Sequence, residues 1–304
     1  MGNIWSEFAE GGTAYGFTRQ SMLTRFAPSP TGELHLGHAY SAVLAHGMAR
    51  AGDGKFLIRI DDIDGSRSRD AYVDAALADL LWLGLDWDRE PVRQSGRLGD
   101  YAAALDELRA RDLVYPCFCT RADIAQSLAA PHGPSGAVYP GTCRHLTPGE
   151  RMRRLADEAH CWRLDMARAA TLAGQLRWEE AGQGLRIADP LAHGDIVLAR
   201  KDAPASYHLA STIDDAAMGV THVVRGADLI ASTDVHRLLQ ALLGLPSPVY
   251  RHHALICGPD GMRLAKRDAA ASLRALREAG VDGRALAEDL RTGRLPAGYS
   301  LQNP

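Results

Sequence analysis

The chain has 304 residues, 46% hydrophobic and 23% charged, a globular balance that allows one large α/β domain or two smaller ones. A formal net charge of −3 excludes a global basic field, so a nucleic-acid partner would have to meet local basic patches. No apolar run approaches the roughly 20 residues of a membrane span, no secretory signal is visible, and five cysteines in a chain this long make no disulfide framework; a cytoplasmic protein without a membrane partner is expected.

Residues 1–21 are Gly-rich and unpatterned, and a disordered extension is expected there. Leu23 to Ala27 is then an apolar run long enough for a buried strand. Pro28 and Pro30 stop it and fix an extended turn through Ser29. Gly32 and Gly37 allow close backbone approach, and a helical run follows from Ala39 to Ala51. Strand, rigid loop and helix N-terminus in this order make a nucleotide site in an α/β sheet. His35 and His38, three apart, fall on one side of a helical turn and can donate to phosphate oxygens; the alternative is a capped helix start with incidental histidines.

Lys55 to Ile60 reads as a second strand, ending in Asp61-Asp62-Ile63-Asp64-Gly65. Carboxylates at the C-terminal edge of a parallel strand face the ligand crevice, so Asp61 can take an ammonium group and Asp64 can cap or orient the loop. Ala71 to Leu83 and Leu98 to Leu113 are helix-periodic, and their alternation with strands predicts a mostly parallel sheet. Cys117 and Cys119, with Cys143 beyond a Pro- and Gly-rich loop that contains Tyr139, have spacing that suits tetrahedral zinc if a fourth ligand is supplied; buried free thiols are the alternative. Cys161 and Cys257 are expected in the core.

Gly194 to Arg200 resumes strand character, and Val220 to Val224 is a short β-branched run ending in Arg225. Arg225 is thus expected at a strand end facing the crevice of Arg25, where two guanidiniums can serve a substrate with two carboxylates. Tyr207 can hydrogen-bond such a substrate or be a core aromatic, and Arg225 can be a surface pair; spacing alone does not choose. Leu229 to Leu242 reads as a helix capped by Ser232 or Thr233, and Tyr250 to Ile256 as a last strand. A turn at residues 258–261 delivers Arg263-Leu264-Ala265-Lys266-Arg267, which, like Arg151, Arg153 and Arg154 earlier, is a local basic cluster; Ala269 to Ala279 and Gly283 to Leu290 are short helical patterns. No Walker A run and no G-x-G-x-x-G occurs, against a P-loop kinase or dinucleotide enzyme.

The run R-F-A-P-S-P-T-G-E-L-H-L-G-H from Arg25 to His38 resembles the H-I-G-H region of class I aminoacyl-tRNA synthetases, in their glutamyl branch. R-I-D-D-I-D, P-A-S-Y-H-L-A with Asp214-Asp215, and V-V-R-G-A-D-L resemble glutamyl motifs in the same order, with Asp61 one methylene shorter than the family's glutamate. Arg263 to Arg267 takes the place of the K-M-S-K-S loop, imperfectly, with Lys266 kept as the central lysine. Cys117, Cys119, Tyr139 and Cys143 are similar to the C-x-C…Y-x-x-x-C site of the truncated, glutamyl-queuosine branch; His132 and His145 rival Tyr139 for the fourth position.

The resemblance implies a Rossmann-like parallel sheet with a zinc-bearing insertion and a short helical C-terminal segment. Its parts would be a first catalytic half at 22–114, the insertion at 115–192, a second half at 193–257 and the basic loop with C-terminal helices at 258–304, without an anticodon-binding domain. It implies ATP with Mg²⁺ as substrate, gripped by His35, Gly37, His38 and Lys266, the three side chains being catalytic. It implies glutamate held by Arg25, Phe26, Ala27, Pro28, Ser29, Asp61, Tyr207 and Arg225, one structural Zn²⁺, and a monomer. Glutamate would be activated as the adenylate without tRNA and passed to queuosine in the anticodon stem-loop of tRNA(Asp). The alternatives are a truncated glutamyl-tRNA synthetase charging a tRNA 3′ end, a silent RNA-binding paralogue, and a small-molecule nucleotidyltransferase.

Overall fold

The structure is a computed structural model and describes residues 21–120, 123–124, 132–133, 136–200, 203–262, 264 and 272–302. The extension expected at 1–21 therefore lies, but for Ser21, outside the described residues, as do Arg263, Lys266 and Arg267.

The first half is β1 (Leu23–Phe26), α1 (Leu36–Ala51), β2 (Lys55–Ile60), α2 (Asp70–Trp82), β3 (Val92–Arg93) and α3 (Leu98–Ala110). β1, β2 and β3 pair in parallel in that order, Leu23 opposite Lys55 and Phe26 opposite Ile58. α1 is buried nearly all round because it is covered on several sides: its Val43, Leu44 and Met48 share one core with Phe56 and Ile58 of β2 and with Leu286 and Leu290 near the C-terminus. The helix begins three residues before the run Ala39 to Ala51 expected from periodicity.

The middle of the chain gives β4 (Val114–Cys117), the two-residue ladder β5 (His132–Gly133) and β6 (Gly136–Ala137), α4 (Pro148–Asp157), β7 (Cys161–Leu164), α5 (Met166–Ala173), β8 (Arg177–Glu180) and β9 (Gly184–Ile187). There follow β10 (Val197–Ala199), α6 (Tyr207–Ala217), β11 (His222–Gly226), α7 (Ile230–Leu242), β12 (Val249–His253), β13 (Leu255–Cys257), α8 (Leu273–Glu278), α9 (Gly283–Arg291) and β14 (Ser300–Gln302). The two halves interlock. β10 joins the antiparallel sheet β10-β7-β4, whereas β8, from the segment expected as an insertion, pairs in parallel with β12 and brings β9 with it. The expected last strand is broken at Ala254 into β12 and β13, and β13 pairs with β14.

β11 and β12 pair in parallel, and β11 lies beside β1. Thr221 N–H donates to the Leu23 carbonyl at 2.9 Å, and Leu23 N–H donates to Thr221 Oγ1 at 2.8 Å. The order β3-β2-β1 | β11-β12-β8 therefore reverses direction of growth between β1 and β11. Ligands of open α/β sheets bind outside the strand C-termini at this switch point.

One capping expectation fails. α7 starts at Ile230 after a 3₁₀ turn over Ala227–Leu229, with no side-chain cap. Ser232 and Thr233 lie inside the helix and are buried, and Thr233 is used by Arg225 instead.

Candidate active site

A cavity of about 430 Å³ opens at the switch point. Arg25, Phe26, Ala27, Pro28 and Ser29 line it from the end of β1, and His35, Gly37 and His38 from the start of α1. Asp61 reaches it from the end of β2, Tyr207 from the first turn of α6, and Arg225 from β11. Every expected pocket residue that the structure describes is thus at one cavity; Lys266 lies outside the described residues.

The histidines build the helix start themselves. His35 is the N-cap of α1, its Nδ1 accepting from Gly37 N–H at 3.1 Å, and His38 Nδ1 accepts from His35 N–H at 3.1 Å. The rings are 3.8 Å apart between centroids. A ring nitrogen that accepts a backbone N–H carries no proton, so in each neutral ring the proton sits on Nε2. The capped-helix reading and the phosphate-donor reading therefore describe the same pair: capping through Nδ1 fixes the tautomer in which Nε2–H is a donor.

Arg25 is buried and bidentate on Asp215, Nε to Oδ1 at 2.8 Å and Nη2 to Oδ2 at 3.2 Å. Arg59 shares that carboxylate, Nη1 to Oδ1 at 2.6 Å, and turns its other edge to Asp61, Nε to Oδ1 at 2.7 Å. Burial drives the Asp215 carboxyl pKa up, but Arg25 and Arg59 outweigh it and hold the pKa below the ordinary value. At Asp61 burial wins over Arg59, and the pKa is raised. Arg59 and Asp215 belong to motifs that the sequence reading quoted, but neither was singled out as a site residue; the structure places both beside the cavity residues Arg25 and Asp61. The available signal was a guanidinium inside the apolar strand K-F-L-I-R-I, since a buried charge requires a partner.

Arg225 is held differently. Its Nε donates to His252 Nε2 at 3.2 Å, Nη1 to Tyr207 Oη at 3.2 Å and to His236 Nδ1 at 3.4 Å, and Nη2 to Thr233 Oγ1 at 2.7 Å. All four partners are uncharged, and among the described residues no carboxylate pairs with Arg225. His252 is fixed from behind, its Nδ1 against Glu180 Oε2 at 2.6 Å. Burial first, then the field of Arg225, pushes the His236 pKa well below its ordinary value, and burial likewise lowers His252. Both rings stay neutral acceptors at neutral pH. Tyr207, 39% exposed, is a cavity residue rather than a core aromatic. Gly226 keeps this wall close: a Cβ there would fall 2.4 Å from Asp228 Oδ1 and 2.7 Å from Leu255 Cδ2.

Away from the cavity, the sulfurs of Cys117, Cys119 and Cys143 lie within 4.8 Å of one another. Tyr139 Oη is 3.5 Å from Cys119 Sγ and accepts from Cys143 N–H at 2.8 Å. Three converging thiols with a buried phenol beside them suit a thiophilic tetrahedral ion such as Zn²⁺. His145 is exposed, and the side chain of His132 lies outside the described residues. Cys161 and Cys257 are buried as expected, but Cys161 faces Cys117 across the β4–β7 ladder and packs in the same cluster.

The model of the family "tRNA synthetases class I (E and Q), catalytic domain" matches residues 21–296. The chain belongs to this family. As a class I synthetase it is a ligase-type enzyme that uses ATP with Mg²⁺. It is 50% identical over 268 residues to the glutamyl-Q tRNA(Asp) synthetase of Rhodobacter capsulatus, covering 85% of this chain and 96% of that one. With the protein of the same name from Symbiobacterium thermophilum it shares 46% identity over 266 residues, 84% of this chain and 81% of that one. Among solved structures, a glutamate tRNA ligase from Elizabethkingia meningosepticum in complex with its amino acid matches with a TM-score of 0.69 at 28% identity. That match covers 82% of this chain and 53% of the ligase, so the synthetase described here spans about half the length of that relative.

Proposed function

We propose that this synthetase activates glutamate with ATP in the absence of tRNA and then transfers it to queuosine in the anticodon stem-loop of tRNA(Asp). The observation that carries the reading is the charge state of the cavity. Among the described residues, Arg25 and Arg59 are neutralised by Asp215 and Asp61, whereas Arg225 meets only neutral acceptors and can take one more carboxylate. A substrate side-chain carboxylate supplies it, with Tyr207 beside it. Asp61 faces the amine, and Arg25 with the Phe26-to-Ser29 turn sets the α-carboxylate.

In the first step an α-carboxylate oxygen attacks the α-phosphorus of ATP, the bond to the β,γ-unit breaks, and glutamyl-adenylate and pyrophosphate form. No side chain acts as nucleophile. The Nε2–H groups of His35 and His38 donate to the phosphate oxygens as charge develops, and Lys266 serves the leaving pyrophosphate. In the second step a hydroxyl of the queuosine cyclopentenediol attacks the glutamyl carbonyl, and AMP leaves. Cys117, Cys119, Cys143 and Tyr139 hold one Zn²⁺, which contributes structure by tying β4 to the 139–143 loop.

The names of the relatives support the RNA acceptor, and locating the product tests it. tRNA charged with labelled glutamate is digested and its fragments separated. Label in the anticodon fragment is the expected result. Label at the 3′ terminus would make the protein a truncated glutamyl-tRNA synthetase, and no adenylate at all would make it a silent RNA-binding paralogue.

A further inference from the structure

The Arg225 wall of the cavity is braced from outside it. β8 ends at Glu180, opposite Tyr250 of β12, and Ala181 N–H donates to the Tyr250 carbonyl at 2.7 Å. There the chain turns toward β9, Gln183 N–H closing the turn on the Glu180 carbonyl at 2.9 Å. Beyond Tyr250, β12 has no register partner on β8, and the Glu180 side chain continues the ladder. Its Oε1 accepts His252 N–H at 2.8 Å and its Oε2 meets His252 Nδ1 at 2.6 Å. Glu180 is buried, and among the described residues these two are its only hydrogen bonds. A carboxylate out of water with no cation on it is costly, so its commitment to one imidazole calls for a reason.

The other edge of the ring supplies one. His252 Nε2 lies 3.2 Å from Arg225 Nε and 3.3 Å from Thr233 Oγ1. A guanidinium N–H can only donate, so Nε2 must be bare and the ring proton must sit on Nδ1, against Glu180. Arg225 has five N–H groups. Nε–H goes to His252, the two of Nη1 to Tyr207 and His236, and one of Nη2 to Thr233. One Nη2 N–H is left for a ligand, and its direction is fixed by the other four.

We propose that Glu180 is a positioning residue for the amino-acid pocket: by keeping the His252 proton on Nδ1 it keeps Nε2 open to Arg225, and so aims the free edge of that guanidinium at the substrate side-chain carboxylate. The inference rests on the glutamate reading for its ligand. Glu180 acts through the ring and touches no reacting atom.

Glu180→Gln tests it with the size of the side chain kept. The His252 backbone N–H can only donate and takes the amide oxygen, so the amide NH₂ faces Nδ1. The ring adapts by moving its proton to Nε2, where it opposes Arg225 Nε–H. Long-range nitrogen–proton NMR spectra of histidine-labelled protein read the tautomer, with the His252 signal assigned by its loss in His252→Phe. The wild type should carry the proton on Nδ1 and Glu180→Gln on Nε2. In ATP–pyrophosphate exchange without tRNA, Glu180→Gln should raise the KM for glutamate about tenfold, with the KM for ATP and the rate at saturation near wild type. His252→Phe should raise it as far, and adding Glu180→Gln to that variant should raise it no further.

A wild-type ring protonated on Nε2 overturns the proposal whether or not the variants fold. So does an unchanged glutamate KM in Glu180→Gln, or a joint loss of both KM values and the rate, which is what a carboxylate with a purely structural role would give. A wild type without glutamate-dependent exchange overturns the functional reading instead. The tautomer in Glu180→Gln then judges the positioning alone, and a proton still on Nδ1 there overturns it.

Discussion

Arg225 rests its Nε on the bare Nε2 of His252 at 3.2 Å, and His252 is in turn anchored on Glu180. The carboxylate therefore stands one residue behind the guanidinium, where it orients the imidazole without neutralising Arg225. Arg225→Ala should raise the KM for glutamate about a hundredfold or more, since removing one partner of a buried charge pair costs about 2–5 kcal/mol. The exchange rate at saturating glutamate should change little. Lys266→Ala should do the reverse. Equal changes in both constants for both variants, measured by steady-state exchange, would contradict this division of roles.

Asp215 carries two guanidiniums at once, 2.8 Å from Arg25 and 2.6 Å from Arg59. Asp215→Asn leaves both buried cations underpaired. Denaturant unfolding should show a loss of about 3–5 kcal/mol. A loss below about 1 kcal/mol would mean that solvent or other acceptors already serve these arginines.

The thiol cluster predicts one Zn²⁺ per chain, released when a thiol-reactive reagent consumes Cys117, Cys119 and Cys143. Replacing any of these three by Ser should abolish stoichiometric zinc, as read by metal analysis and dye titration. Tyr139→Phe should weaken binding, whereas Cys161→Ser should keep full stoichiometry. Zinc retained in Tyr139→Phe but lost in Cys161→Ser would exchange the roles of those two residues.

Acidification should destabilise the fold. Burial lowers the pKa of His46, His193, His222, His236 and His252, and takes His208 and His253 to about 4. In the unfolded chain these rings protonate near 6.5, so unfolding takes up protons below that pH and stability falls as pH falls from about 6.5 toward 4. Asp79, raised to about 6 by burial, and the raised Asp61 and Asp234 act in the opposite sense but are fewer. Thermal melts should lose stability on the order of a few kcal/mol between pH 6.5 and 5. Stability that is flat or rises across that window would show that the rings reach water.

The sequence made the site legible where motifs are local. The Arg25-to-His38 run, Asp61, Tyr207 and Arg225 come together because each sits at a strand end or helix start; the alternation of strands and helices predicted this for Arg25, Asp61 and Arg225, whereas Tyr207 was assigned to the pocket only through the resemblance. Pairings across long separations were not legible. Nothing near Arg59 in sequence points to Asp215, 156 residues away, and the partners of Arg225 lie on α6, α7 and β12. Thr233 looked like a cap because Thr near a helix start caps often, but its hydroxyl serves Arg225 while the preceding 3₁₀ turn begins the helix. The strand β8 was hidden for a related reason. Its R-W-E-E buries Trp178 and Glu180, and Glu180 is buried because His252 needs it.

The central claim is that the Arg225 guanidinium, which meets no carboxylate among the described residues, makes the cavity select a dicarboxylic amino acid. The amino-acid dependence of ATP–pyrophosphate exchange, measured without tRNA, tests it most directly. Exchange with glutamate should exceed that with glutamine, its neutral isostere, by at least about a hundredfold, and Arg225→Ala should erase most of that preference. Comparable exchange with glutamine in the wild type, or exchange with neither, would contradict the account.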